Sequence, residues 1–304
     1  TSQIQNGGVT LTSGTIQNGT LSSSGTFDLQ SGSVSSTLIG TGAVTKTTSG
    51  TVTLSGSNYY SGATTVSAGT LKATAANSFS YNSTHSVTSG ATLDLGGYAQ
   101  NIGALAGDGL VTNSGATSVA LTAGTSGASS TFSGVIQNGV GAISLIKAGN
   151  GTLTLSGANT YTGGTTVNAG TLLLASPGTL GANSNSLSVT GGTLNLGTTT
   201  QTQNGGLTLT GGTISNGTLN TGSTAYNLQS GTISAILAGT GGLNKTTSGS
   251  VTLSGANTYT GNNTVNGGGY LYVSGSGTLG DSANSLTISG GSNVDLGTTT
   301  QIQN

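Results

Sequence analysis

The 304 residues include 57 glycines and one proline, Pro177, with four lysines, five aspartates, no arginine and no glutamate, for a net charge of −1. So few cations cannot neutralise a phosphate backbone or hold an anionic lipid surface, which excludes nucleic acid as a partner. No apolar run reaches the ~18 residues of a bilayer span, so no membrane insertion of this segment is expected, and without cysteine there is no disulfide framework.

In chain order, apolar residues alternate with polar ones over short segments: Val9 and Leu11, Phe27 and Leu29, Val52 and Leu54, Leu93 and Leu95. Leu187 and Val189, Leu194 and Leu196, Leu207 and Leu209, and Leu286 and Ile288 continue the pattern. Each segment is bounded by Gly, Ser or Asn, and this composition disfavours helix. The period of two predicts an all-β chain.

The stretch Gly151 to Leu172, GTLTLSGANTYTGGTTVNAGTL, recurs as Thr51 to Leu71 and Ser250 to Leu271. Aligning Leu54, Leu155 and Leu253 gives steps of 101 and 98 residues, so the chain divides into copies over 1–98, 99–198 and 199–304. Within the motif Leu153, Leu155, Val167 and Leu172 face inward. One copy has too few apolar groups to fold alone and must stack on its neighbours as one continuous solenoid. The expected fold is a right-handed parallel β-helix, an elongated rod with uncapped ends, against an antiparallel sandwich as rival.

Further repetition links the first and third copies. Gln3 to Gly8, QIQNGG, answers Gln201 to Gly206, QTQNGG, and Lys46 to Gly50, KTTSG, answers Lys245 to Gly249. The closing QIQN, residues 301–304, repeats Gln3 to Asn6. It is expected to open a further copy, with head-to-tail or lateral self-association.

Three sets of residues align between copies. Asn58, Asn159 and Asn257 are expected at equivalent turns, bonding neighbouring backbone groups. Tyr60, Tyr161 and Tyr259 are expected to form a ladder on the flank of the solenoid, in preference to stacking on a glycan. Lys46, Lys147 and Lys245 each precede the aligned leucine by eight residues, and are expected to cap carbonyls or guard a sheet edge.

Chemical constellations are missing. Asp94 and Asp295, in LDL and VDL, are matched by Asn195 in LNL and are expected to point outward in solvated or turn-bonding roles. His85, the single histidine, is expected in an exposed loop. No catalytic, cofactor-binding or metal-binding residue is assigned, because acid-base work needs paired groups and a metal needs clustered ligands.

Phe132 to Leu174 resembles the passenger-associated transport repeat, also called the autotransporter-associated β-strand repeat, of type V secreted bacterial proteins. Leu93 to Val111, LDLGGYAQNIGALAGDGLV, resembles the segment that joins successive copies. The resemblance implies a parallel β-helix exported to the bacterial cell surface, of which these residues are a slice. The function expected is a non-catalytic structural or adhesive stalk or wall, biofilm-related, meeting a host or matrix ligand. The alternatives are a homopolymeric filament subunit and a glycan-active enzyme on the same fold.

Overall fold

A strand of three or four residues with one apolar face leaves both backbone edges open, so its stability depends on what lies along each edge. In the computed structural model, which describes residues 1–301, the strands pair in parallel, and strands are the only regular elements among those residues. Paired strands lie about 20 residues apart in sequence: Thr64–Val66, for example, is flanked by Val44–Lys46 and by the segment beginning at Thr84. Each unit of the chain is a parallel β-solenoid.

The first unit covers Thr1–Gly163. One of its sheets runs in chain order through Val9–Leu11, Phe27–Leu29, Val44–Lys46, Thr64–Val66, Thr84–Val87, Ala104–Gly107, Ser130–Phe132 and Thr152–Leu155. A second runs from Thr15–Ile16 through Gly32–Val34, Thr51–Leu54, Thr70–Ala73, Thr92–Asp94 and Leu110–Thr112 to Val135–Ile136. The third side holds Ser2–Ile4, Thr20–Ser22 and Thr37–Ile39, then no strand until Gln100–Ile102, Val119–Ala123 and Ile143–Lys147.

Register stacks like on like. Val52, Leu71, Leu93, Val111 and Ile136 are successive partners and all are buried. Parallel pairing without slippage puts every inward side chain over the inward side chain of the coil before, so the core is a set of apolar columns. Many outward positions carry Thr or Ser and are partly exposed, as Thr45, Thr53 and Thr65 are.

The second unit begins at Gly164 and repeats the plan. Leu172, Leu194, Ile214, Ile233, Leu253 and Val273 form one column of successive partners, all buried. A second sheet runs from Thr165–Val167 to Leu286–Ile288, and a short third one holds Thr200–Thr202, Thr218–Asn220 and Ile236–Ala238. The inward placement of Leu153, Leu155, Val167 and Leu172 agrees with the alternation: all four are buried.

Corners are as close as the strands. At Gly157 a β-carbon would lie 1.8 Å from the Gly134 carbonyl oxygen, so only glycine lets the two backbones approach there. At Gly96, φ is +60°, and its amide bonds back to Asp94 Oδ1 at 2.9 Å. Asn195 and Asp295 receive the same bond from Gly197 and Gly297, at 2.9 and 2.8 Å. The three aligned Asp and Asn residues thus close the same Asx turn.

Candidate functional site

The three aligned asparagines lie in the corners that follow Thr51–Leu54, Thr152–Leu155 and Ser250–Leu253, where the chain makes no strand. Asn58 Oδ1 accepts from the Leu38 amide at 2.7 Å, and its Nδ2 donates to the Ser78 carbonyl at 2.6 Å. Asn257 does the same between Leu237 N–H, 2.9 Å, and Thr278 C=O, 2.7 Å. Asn159 Oδ1 accepts from Ile136 N–H at 2.9 Å. One side-chain amide carries an acceptor on one side and a donor on the other, as a peptide group does, and so continues the ladder of a missing strand.

A glutamine closes the gap from the far side. Gln100 Oε1 accepts from Phe79 N–H at 3.0 Å while its Nε2 donates to Ala75 C=O at 2.7 Å. Gln201 does the same with Leu180 and Gly178, and Gln301 with Leu279 and Gly277. In the first unit the third sheet therefore passes from Thr37–Ile39 through Asn58 and then Gln100 to Gln100–Ile102. The sequence held this signal in part, since Gln100, Gln201 and Gln301 each follow the aligned Leu93, Leu194 and Val294 by seven residues. The bonds themselves span 20 to 25 residues and no local pattern displays them.

The lysines correct the edge-guarding expectation. Lys46, Lys147 and Lys245 are buried, each in phase with an inward neighbour such as Val44 or Leu243. Their ammonium groups turn into the following corner: Lys46 Nζ donates to Thr48 and Ala68 carbonyls, Lys147 Nζ to Ala148 and Gly149, Lys245 Nζ to Thr247. Burial pushes all three below the ordinary lysine range, opposed at Lys46 by the charge of Asp28.

The tyrosines correct the flank expectation. Tyr60, Tyr161 and Tyr259 are fully buried, because the corner turns this ring under the coil. Tyr60 Oη lies 2.7 Å from Thr64 Oγ1, which lies 2.9 Å from Ser83 Oγ, and Tyr259 donates to Asn263 Oδ1 at 2.6 Å. Tyr60 packs on Phe27 with centroids 6.5 Å apart, and Tyr259 on Tyr226 at 5.8 Å. Burial raises the Tyr60 and Tyr259 phenols well above their ordinary range. Rings so placed cannot meet a glycan.

Of two further polar residues, one is placed differently from expectation, and the other keeps its expected turn-bonding role while being buried, not solvated. His85 is in the strand Thr84–Val87, buried against Phe79 at 5.6 Å between centroids, and not in an exposed loop. Its inward neighbour two places on is Val87, so the alternation already assigned it to the core. Asp94 is buried and bonded: Oδ1 accepts from Gly96 and Ser114 amides, Oδ2 from Ser114 Oγ at 2.6 Å, with Lys72 Nζ at 3.6 Å. Among the described residues no three His, Cys, Asp or Glu side chains come together as metal ligands.

Fold and corners together define a parallel β-solenoid whose repeated polar residues complete its own backbone hydrogen bonding. Residues 44–73, 145–174 and 243–269 match the family model described as Passenger-associated-transport-repeat. The chain carries this repeat three times, and each match begins within or at the lysine strand and passes through the asparagine corner. Over 163 residues the chain is 38% identical to "Adhesin BmaC autotransporter" of Brucella suis biovar 1 (strain 1330). That alignment covers 52% of this chain and 5% of the relative, so the chain spans a small part of that protein's length. No solved structure matches the chain significantly.

Proposed function

We propose that the chain is a non-catalytic segment of an adhesive passenger, exported and held outside a bacterial cell as a stalk or wall. The observation that carries this reading is the use made of the repeated residues. Asn, Lys and Tyr recur in each copy, with Gln in the second and third; these are among the side chains most able to do chemistry or bind ligands, and they are consumed within the coil. A recurrent motif spent on backbone completion extends a scaffold; it does not build a repeated active site. The adhesin relative and the transport repeat supply the setting: export, surface display and attachment.

Adhesion is tested by fusing the chain to a membrane-anchoring β-barrel and displaying it on a non-adherent bacterium. Retention on cultured host cells or on matrix-coated plates should rise several-fold over the anchor alone. Retention equal to that of the anchor overturns the adhesive reading. Release of reducing sugar from a polysaccharide panel by the purified chain would overturn the non-catalytic one.

A further inference from the structure

Residues that depart from the repeat are free of its structural duties, and several of them meet on one surface of the first unit. Tyr59 stands where the other copies have Thr160 and Thr258, and Tyr81 stands two places after Phe79, where Ala182 and Asp281 stand two places after Leu180 and Leu279. Their rings meet edge to face with centroids 5.9 Å apart and are 48% and 44% exposed. Such exposure contrasts with the complete burial of Tyr60 next in sequence.

The two rings border an open cleft of about 520 Å³, further lined by Ser57, Asn77, Asn101 and Thr125. Asn77 holds φ at +54°, a left-handed conformation that a non-glycine residue adopts at some cost. Its Oδ1 accepts from Asn101 Nδ2 at 2.7 Å, which orients both amides and leaves Asn77 Nδ2 and Asn101 Oδ1 without a partner among the described residues. Thr125, from the segment in which the middle copy departs from the others, shares its hydroxyl between the Tyr81 and Ile102 carbonyls at 2.7 and 2.9 Å, fixing the backbone that carries the second ring. The cleft is thus held from four coils.

We infer that the Tyr59–Tyr81 cleft binds a neutral oligosaccharide. A pyranose presents an apolar C–H face ringed by hydroxyls that both donate and accept. Exposed phenol rings match the face, while an oriented amide pair with one free donor and one free acceptor matches adjacent hydroxyls. No charged side chain lines the cleft, so a phosphate, sulfate or uronate would lose its water without gaining a counter-charge. The cleft is concave, and every lining residue except Ala76 carries a hydroxyl or amide beside its apolar surface, the mixture a sugar presents and unlike the apolar core of a protein-docking patch.

The inference deepens the adhesive reading and rests on it for its biological use, but the measurement does not. Purified chain is mixed with a panel of neutral oligosaccharides (β-glucan, galactan, mannan and chitin fragments), with sialylated and sulfated glycans, and with a peptide library. Saturation-transfer NMR and calorimetry report binding. At least one neutral glycan should bind and shift the Tyr59 and Tyr81 ring resonances. Tyr59→Thr, which restores the repeat's own residue, and Tyr81→Ala should each weaken it roughly tenfold or more. Tyr98→Ser, an exposed tyrosine outside the cleft, should leave it unchanged. No neutral binding, binding of anionic glycans or peptides alone, or affinity indifferent to both cleft variants overturns the inference. Cells that adhere while the purified chain binds no neutral glycan would sink the cleft and leave the adhesive reading standing; binding without adhesion would do the reverse.

Discussion

His85 has no partner at Nε2 among the described residues, and its Nδ1 lies 3.1 Å from the Ser83 carbonyl. Burial pushes its pKa down to about 4 from 6.5, with the Ser83 carbonyl opposing in part. The unfolded chain therefore takes up a proton near pH 6.5 that the folded chain refuses until about pH 4. Stability from the neutral imidazole is fully present above the higher value and falls with pH through that window, by roughly 3 kcal/mol. Urea melts at about pH 7.5 and 4.5 measure it. His85→Leu, which fills the site without a titrating group, should lose much less on acidification; an equal loss would contradict the assignment. Lys46 makes a second case. Lys46→Met keeps the buried stem but removes the donor from the Thr48 and Ala68 carbonyls, and should cost about 1–3 kcal/mol in the same melts. Both residues were legible as inward from the alternation with Val87 and Val44. Their polarity suggested a surface instead, because alternation does not say which carbonyls an inward charge can reach.

The corner that holds Asn58 works as a strand one residue long. Its amide joins backbone in the coil before and the coil after, so a single side chain maintains pairing where the main chain cannot. Asn58→Ala should cost about 2–4 kcal/mol, since an N–H and a C=O in a buried setting both lose their partner. Asn58→Asp keeps the acceptor, loses the donor and adds a buried charge facing the Ser78 carbonyl, so it should be worse by a further 1–2 kcal/mol or so at neutral pH. Amide exchange locates the effect: Leu38 N–H should exchange faster in either variant. Unchanged protection there would mean that the side chain does not carry the ladder. That these asparagines share a turn position could be read from the repeated SGxN. That they span three coils could not, because their partners lie 20 residues away on either side and only the closed register brings them together.

At the scale of the whole molecule, the long repeat made stacking readable: a motif with alternating leucines and no room for a core of its own must bury them on a neighbour. The parallel all-β class followed from the same pattern. The broken third sheet did not, since it takes three-dimensional register to see which strands are absent. Stacking also governs how damage spreads. Leu54 pairs with Val34 before it and Ala73 after it, and in a solenoid each coil's stability is close to its own term plus two interfaces. Leu54→Asp puts an unpaired charge into the column and should cost at least ~3 kcal/mol. The loss should be concentrated in its own coil and the two it touches, because more distant strands of the first unit share no contact with it. Hydrogen exchange should therefore accelerate strongly over Gly32–Val34, Thr51–Leu54 and Thr70–Ala73, and much less over Val119–Ala123 and Ile143–Lys147. Equal acceleration across all five strands would show instead that the first unit opens as one cooperative block, and the nearest-neighbour account would fail.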